Sequence, residues 1–279
     1  MNDEYQLLDS GDGRKLERFG RYVLARPCSQ ALWRPTLGAA DWSAADASFD
    51  REDGNHWHGR TNLPKEWQIT TAGIKFKLGG TDFGHLGIFP EQRAQWKWIR
   101  ETVQKRSAAE GPVSALNLFA YSGGSTMAAA LGGAEVCHLD ASRGMVDWAR
   151  DNAALNGLGG HPIRWIVDDA HKFMKREIRR GHQYDAIILD PPTFGRGAGG
   201  EMYKIERDLK ETLGLVKDLL SARPLFVLFS SHTPGLSPIV AKNILGQLFP
   251  KATLEAGEML LEGDALACPS GIFCRAIFG

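Results

Sequence analysis

Two apolar segments that each end in an unusual loop place the strongest constraint on how this chain can fold. Residues 114–118 form a short apolar run that breaks into a turn containing Gly123 and Gly124, after which helical periodicity begins. Residues 186–189 form a second apolar run, which ends at Asp190 and two prolines. Each run is typical of a buried strand, and open α/β sheets bind ligands at the carboxyl ends of their parallel strands. The two loops therefore predict a binding site at one edge of a parallel sheet.

Strand-like and helix-like segments alternate from about residue 91 to the end of the chain. Strands are predicted at 114–118, 136–139, 163–167, 186–189, 225–229, 257–262 and 271–278. Helices are predicted at 91–106, 125–131, 142–156, 171–180, 203–221 and 238–249, and Gly157 is the stop signal of the third. This alternation predicts an α/β fold whose sheet is mostly parallel, with helices on both faces, an antiparallel last strand, and the last two strands forming an antiparallel edge.

The first 82 residues have a different pattern. Six of the eight tryptophans lie before residue 100, and short alternating runs such as 73–78 are separated by turn clusters at 9–13 and 53–55. Alternation with a period of two, bounded by Gly, Asp and Asn, is the signal of β-hairpins. We therefore expect a small β-rich module over residues 1–82, followed by the α/β domain over residues 83–279.

Composition excludes several classes of protein. Basic and acidic residues balance at 33 each, so no global field draws the chain to nucleic acid or to a membrane. The polar start is unlike a targeting peptide, and no run of about 18 apolar residues could span a bilayer. The four cysteines lack ligand spacing, and Cys137 lies within an apolar strand, which favours a reduced protein. We expect a cytoplasmic protein with no membrane partner, and the oligomeric state stays open.

Metal binding is not expected either. His56 and His58 flank a tryptophan, but no third ligand follows at a usable spacing.

The glycine turn and two carboxylates indicate a nucleoside cofactor. Gly123 and Gly124 would let the backbone approach a ligand, and Asp140, at the end of the next strand, could bind ribose hydroxyls. Asp169, after the third strand, could accept a hydrogen bond from an exocyclic amine. The turn does not fit the pattern G-x-G-x-x-G that a pyrophosphate favours, so a sulfonium nucleoside suits it better than a dinucleotide. The alternative, a tight strand-to-helix connection with no ligand, is weakened by the two carboxylates.

The second loop has the features of an acceptor site. Prolines fix the backbone and lack amide hydrogens, so Pro191 and Pro192 would hold Asp190 on a stiff loop with free carbonyls. These groups could hold a ring N–H or an amine while Phe194 stacks on a flat substrate, a combination that suits an extruded nucleobase. Asp190, Pro191, Pro192 and Phe194 are therefore the expected catalytic residues. The alternative is a proline-rich loop whose Asp caps a turn and whose Phe belongs to the core.

Residues 83–93 and 114–235 resemble the large-subunit ribosomal-RNA methyltransferases, which are class I enzymes dependent on S-adenosylmethionine. The resemblance rests on residues 87–93, 117–123, 152–157 and 190–194. It implies a Rossmann-like class I methyltransferase sheet, S-adenosyl-L-methionine as cofactor and ribosomal RNA as substrate. In this family Gln92 and Arg93 correspond to a lid, and Arg93 would meet the methionine carboxylate. The expected cofactor-binding residues are Gln92, Arg93, Asn117, Phe119, Tyr121, Gly123, Gly124, Thr126, Asp140, Ala141, Ser142, Asn152, Asp169, Ala170 and Asp190.

One departure from the family bears on the reaction. Members that methylate carbon-5 of cytosine need a cysteine thiolate, whereas residues 229–233 contain none. Ser231 is a weak nucleophile without a paired base, and adjacent His232 would point to the opposite face of an extended segment. Both side chains could equally serve loop packing. We therefore expect direct transfer to a nucleophilic ring nitrogen, which needs positioning and no covalent intermediate.

Two basic regions leave the contact with RNA open. The module before residue 83 mixes arginines with aromatic residues, which suits RNA and equally suits a hairpin with one solvated face. Lys172, Lys175, Arg176, Arg179 and Arg180 share one helical face, a pattern typical of a solvated surface. Two rival functions remain: a nicotinamide-dependent oxidoreductase on the same sheet, and a non-catalytic RNA-binding assembly factor that retains the cofactor fold.

Overall fold

A computed structural model describes residues 3–51, 54–196, 200, 202–264 and 266–279. The chain forms two units: Met1–Ala94 with Met259–Ser270, and Gln95–Glu258 with Gly271–Gly279. The segments 83–94 and 259–270 thus belong to the first unit, although their residues follow the predicted boundary at residue 82. The domain division at that residue stays a prediction.

The first unit is mostly β-structure built from tight hairpins. It contains strands β1 (Tyr5–Gly11), β2 (Arg14–Phe19), β3 (Tyr22–Pro27), β4 (Ala47–Asp50), β5 (His56–His58), β6 (Trp67–Thr71) and β7 (Ile74–Leu78), the short helix α1 (Ala39–Ser43), and 3₁₀ turns at Arg60–Asn62 and Pro90–Gln92. Strands β1 to β5 form one sheet, and β6 pairs with β7. Asp12 and Gly13 join β1 to β2 with positive φ at both residues (47° and 75°), as in the two-residue turns that match strand twist. The turn cluster at 53–55 includes Asp53, which lies outside the described residues.

The remaining elements alternate as the sequence pattern predicts. They are α2 (Arg93–Glu110), β8 (Ser114–Leu118), α3 (Gly124–Leu131), β9 (Glu135–Asp140), α4 (Arg143–Leu155), β10 (Ile163–Val167), α5 (Ala170–Arg179), β11 (Ala186–Leu189), β12 (Phe194–Arg196), β13 (Met202–Lys204), α6 (Ile205–Asp218), β14 (Phe226–Ser231), α7 (Pro238–Leu248), β15 (Thr253–Leu261) and β16 (Cys268–Ile277).

The order of the seven-stranded sheet positions the site. The strands lie in the order β10-β9-β8-β11-β14-β16-β15, with parallel pairing from β10 through β14 and antiparallel pairing of β16 on β14. The chain runs from β8 outward to β10 and then returns to β11 on the other side of β8. The loops after β8 and β11 therefore diverge at a topological switch point, where α/β sheets open a ligand crevice. The predicted fold class is confirmed.

The sheet is buried because its central strands are apolar on both faces. All four residues of β11 and all six of β14 are buried, as expected for strands covered by helices on both sides. The apolar side chains of α5, α6 and α7 pack on one face of this sheet around Phe173, Leu213 and Leu245. A rigid sheet of this kind fixes the loops at its carboxyl edge.

One pair of strands was missed. Phe194 pairs with Lys204, and Arg196 with Met202, so a short hairpin follows the proline loop and α6 begins at Ile205 rather than 203. The intervening segment is rich in glycine and has no alternation with a period of two, so its sequence carries no strand signal. This hairpin begins at a residue that was expected to belong to the acceptor site.

Candidate active site

The loop after β8 has a strained backbone. Phe119 and Tyr121 have φ values of 54° and 50°, and Gly123 has a φ of 89°. Left-handed conformations are ordinary for glycine but unfavourable for bulky aromatic residues, and they persist only where surrounding structure enforces them. Such strained residues concentrate at functional sites.

The neighbouring strand β9 enforces this loop. The Ala120 amide donates to the carbonyl of Leu139 (3.0 Å), and the Tyr121 amide donates to Asp140 Oδ2 (2.9 Å). Asp140 Oδ1 accepts a second bond, from the Ser142 amide (2.9 Å). Burial raises the pKa of the Asp140 carboxyl, and the two backbone bonds oppose that rise. Each oxygen uses one acceptor position on backbone and can accept a further hydrogen bond, as a ribose requires.

A buried polar network supports the loop from below. Asn117 Nδ2 donates to Thr126 Oγ1 (2.9 Å), which lies 2.9 Å from His138 Nδ1. On the next helix, Asn152 Nδ2 donates to the carbonyl of Ser122 (2.8 Å). All four side chains are buried. The hydrogen bonds of Asn117, Thr126 and Asn152 support the turn, and the predicted contact of these residues with a cofactor stays a prediction.

The two glycines are also required by packing. A Cβ on Gly124 would lie 2.5 Å from Trp96 Cζ2, and one on Gly123 would lie 3.0 Å from the Cβ of Ala149. Helix α3 can begin this close to its neighbours only because these positions lack side chains. The sequence left two explanations of the glycines open, a tight strand-to-helix connection and a close approach of the backbone to a ligand. The packing requires the first and is compatible with the second.

Asp169 and Ser142 are helix N-caps. Asp169 Oδ1 accepts from the Lys172 amide (2.9 Å) at the start of α5, and Ser142 Oγ accepts from the Met145 amide (3.4 Å) at the start of α4. Ala141 and Ala170 adjoin these caps at the carboxyl ends of β9 and β10. The amine-binding role of Asp169 stays a prediction, because its cap bond alone explains its position.

The proline loop lies beside the strained turn. Leu189 and Leu118 are paired residues at the ends of β11 and β8, so Asp190 and Phe119 leave the sheet next to each other. Phe194 is 59% exposed, which excludes the alternative that it belongs to the core. The Lys204 ammonium lies 5.4 Å from the centre of the Phe194 ring. An exposed ring on a stiff loop can stack on a flat substrate.

Two site residues were missed or undervalued from sequence. His232 follows β14 and places Nδ1 3.5 Å from Asp190 Oδ1. Ser231 is buried whereas the His232 side chain is partly exposed, and the absence of a Ser231–His232 pair stays a prediction. Tyr203, on β13, packs its ring 5.3 Å from that of Phe119. The one sequence signal for His232 as a site residue is its position directly after a predicted parallel strand. The sequence carries no signal for Tyr203.

The predicted lid residues lie in the first unit. The Arg93 guanidinium donates to Asp3 Oδ2 (3.4 Å) and to the carbonyls of Tyr5 and Glu262 (3.5 and 3.4 Å), and it stacks on the Tyr5 ring. Gln92 is buried. The expected contact of these two residues with a methionine carboxylate stays a prediction.

The other candidates from sequence have ordinary surroundings. On the basic face of α5, Lys175 pairs with Glu211 (2.7 Å) and Arg176 with Asp168 (2.7 Å). Within the described ranges, no cluster of three or more His, Cys, Asp or Glu is arranged to hold a metal ion. Among the same residues, no helix combines the length and apolar character that a membrane span needs.

Comparisons with known proteins agree with this geometry. The profile of the S-adenosylmethionine-dependent methyltransferase family matches residues 46–229. The ribosomal RNA large subunit methyltransferases K/L of Shewanella frigidimarina and Shewanella loihica are each 34% identical, over 62% and 61% of this chain and 23% of their own length. The chain therefore spans about a quarter of these relatives. The crystal structure of a SAM-dependent methyltransferase from Agrobacterium tumefaciens superposes with a TM-score of 0.93 at 35% identity, covering 99% of this chain and 91% of that one. The chain belongs to the family of S-adenosylmethionine-dependent methyltransferases.

Proposed function

We propose that this protein transfers the methyl group of S-adenosylmethionine directly to a ring nitrogen of a nucleobase in ribosomal RNA. The observation that carries the proposal is the pairing of two loops at the switch point. The strained turn at 119–124, anchored on Asp140, leaves the sheet beside the loop that begins with Asp190. One loop suits a nucleoside cofactor and the other suits a flat acceptor.

The residues of the turn fit S-adenosylmethionine. Asp140 would bind the ribose hydroxyls through the acceptor positions that its two backbone bonds leave. The glycines let the backbone approach the cofactor, and no phosphate-binding pattern is needed. When bound, the cofactor supplies an electrophilic methyl group on sulfur. The task of the chain is therefore to hold the acceptor nitrogen in line with that group.

Acceptor positioning would fall to the proline loop. The Asp190 carboxylate would accept a hydrogen bond from an N–H of the base, and the Pro191 and Pro192 carbonyls offer further acceptors. The exposed Phe194 ring would stack on the base.

The two cysteines of the second unit, which carries both loops, have environments that support transfer without a thiolate. Burial raises the pKa of the Cys137 thiol, in the middle of β9, to about 11. Burial likewise raises the pKa of the Cys274 thiol, on β16, to about 11. Thiols with such pKa values are almost wholly protonated near neutral pH and are poor nucleophiles. Neither residue follows β14, where family members that use a thiolate carry it.

Ribosomal RNA is proposed as substrate because of the curated relatives. These relatives are named as methyltransferases of large-subunit ribosomal RNA. The matched segment is a minor part of those proteins, so the acceptor nucleotide is left to experiment. A cytoplasmic location would follow from this substrate.

Calorimetry followed by a transfer assay tests the proposal. The purified protein is titrated with S-adenosylmethionine, with S-adenosylhomocysteine and with NADH, and is then incubated with tritiated S-adenosylmethionine and unmodified large-subunit RNA transcript. We expect binding of the first two ligands, no heat with NADH, and label in a base methylated on a ring nitrogen after nuclease digestion. NADH binding would favour an oxidoreductase instead. Binding of the cofactor without transfer to any ribosomal transcript would favour an assembly factor.

A further inference from the structure

His232 and Asp190 come from different loops and meet at the acceptor side of the site. Strands β11 and β14 are paired in parallel, with Leu189 opposite Phe229. The loop after β14 therefore runs beside the loop after β11, and His232 Nδ1 lies 3.5 Å from Asp190 Oδ1. Both side chains are partly exposed, at 33% and 26%, so a ligand could reach them.

A second contact fixes the same two loops. Thr193 Oγ1 and Thr233 Oγ1 lie 2.8 Å apart and share a hydrogen bond. The Thr233 amide also donates to Ser231 Oγ (3.2 Å), and both of these side chains are buried. The backbone that carries His232 is thus held on each side. The closeness of the imidazole to Asp190 follows from this framework.

The two carboxylates of the site are held in different ways. Asp140 is fixed by the backbone amides of Tyr121 and Ser142. Asp190 is followed by two prolines, which have no amide hydrogen to offer. A carboxylate in that position cannot be oriented by the two peptide groups that follow it. The imidazole of His232, on the neighbouring loop, lies within reach of this carboxylate.

We propose that His232 is a positioning residue for the acceptor nucleobase. In the tautomer with hydrogen on Nδ1, it donates to Asp190 Oδ1 and fixes the carboxylate in the orientation that receives the N–H of the base. The distance of 3.5 Å is longer than an ordinary hydrogen bond, and hydrogen bonds in active sites are often this long until the substrate is bound. This inference rests on the proposed function and adds a residue that does not itself touch the reacting atoms.

Two conservative variants separate the two ring nitrogens. In His232→Asn the side-chain amide takes the place of Nδ1–H, whereas in His232→Gln it lies nearer the place of Nε2. We expect His232→Gln to lower kcat for the RNA transcript about 10- to 100-fold, as for the loss of a hydrogen bond to a charged group. The affinity for S-adenosylmethionine should stay within about twofold in both variants, and His232→Asn should recover most of kcat.

Measurements that need no methyl transfer test the contact between His232 and Asp190 independently of the reaction. Nitrogen-15 spectra of the histidine rings should show His232 with hydrogen on Nδ1, and Asp190→Asn should shift that signal more than any other histidine signal. Affinity for the transcript in the presence of S-adenosylhomocysteine should fall with His232→Gln and recover with His232→Asn. Thermal unfolding of each variant checks that it is folded.

The outcomes distinguish the inference from the proposed function. If the wild type methylates the transcript and His232→Gln matches it, the inference is wrong and the proposed function stands. Equal losses for the Asn and Gln variants would also refute a role for Nδ1. If the wild type transfers no methyl group, the proposed function fails, and the spectra still decide whether His232 donates to Asp190.

Discussion

Acidification should destabilise this protein through one buried histidine beneath the glycine turn. The His138 side chain is completely buried. Burial, with a smaller effect of the Arg150 charge, lowers the pKa of His138 from 6.5 to about 3. In the unfolded chain the imidazole would take up a proton near its ordinary pKa, whereas in the folded protein it stays neutral. Protonation therefore favours the unfolded state at every pH between these two values.

The magnitude follows from linkage. The free energy of unfolding is unaffected by His138 above pH 6.5, and it falls progressively as the pH drops toward about 3. A pH near 5 is about 1.5 units below the pKa of the imidazole in the unfolded chain. This difference corresponds to about 2 kcal/mol of lost stability. A loss of this size is a large part of the stability of an ordinary domain.

Urea unfolding of the wild type and His138→Asn near pH 7 and near pH 5 measures this effect. Asparagine leaves a polar partner for the Thr126 hydroxyl and does not titrate, so other groups cancel in the comparison. The wild type should lose about 2 kcal/mol more than the variant between the two pH values. Fluorescence and circular dichroism must report the same transition, because a chain with two units need not unfold in one step. Equal losses would refute the burial argument.

Four further outcomes are expected. Gly124→Ala should lower stability by about 1–3 kcal/mol in urea unfolding, because its Cβ would lie 2.5 Å from Trp96 Cζ2. Asp140→Ala should weaken S-adenosylmethionine binding about tenfold or more in calorimetry, since it removes the ribose acceptor and the anchor of the strained turn. Phe194→Ala should lower turnover of the RNA transcript by a factor equivalent to about 1–3 kcal/mol, with cofactor affinity unchanged. Cys28 should react first with iodoacetamide near pH 7, because a hydrogen bond with Cys268 lowers the pKa of the Cys28 thiol.

Matched controls accompany these changes. Gly144→Ala places its Cβ no closer than 4.0 Å to Ser142 Oγ in helix α4, so it should be neutral or stabilising. Asp147→Ala removes an exposed carboxylate of the same helix and should leave cofactor affinity unchanged. Alkylation of Cys137 or Cys274 before Cys28 would contradict the thiol prediction, and equal effects of Phe194→Ala on turnover and cofactor affinity would contradict stacking.

The central sheet could be predicted because its signals are local. The bounds predicted for β8, β10 and β11 are those observed, since each is a short apolar run flanked by turn residues. The chain order of strands and helices then implied parallel pairing and a crevice at the carboxyl ends of the strands. The hairpin of β12 and β13 was not predictable, because strands of three residues are too short to show alternation with a period of two and depend on pairing with each other.

The candidate site was predictable in its residues more than in their roles. Asp140 ends β9 and Asp190 directly follows β11, as expected, and the same reasoning places Asn117, Thr126 and Asn152 near the turn. Their side chains are nevertheless buried, with Asn117 bonded to Thr126 and Asn152 to the carbonyl of Ser122. A sequence pattern cannot distinguish a polar side chain that faces a ligand from one that supports the backbone below it.

The sequence by itself determined the alternating architecture, the glycine turn, the carboxylates at strand ends and the family. These features depend on periodicity and on the chemistry of consecutive residues. Only the tertiary structure decided that His232 faces Asp190, that Tyr203 packs on Phe119 and that the turn is strained. The two contacts join segments far apart in the chain, and the strain of the turn is enforced by a neighbouring strand. They depend on strand order and register, which set where each loop leaves the sheet and which side chains meet there.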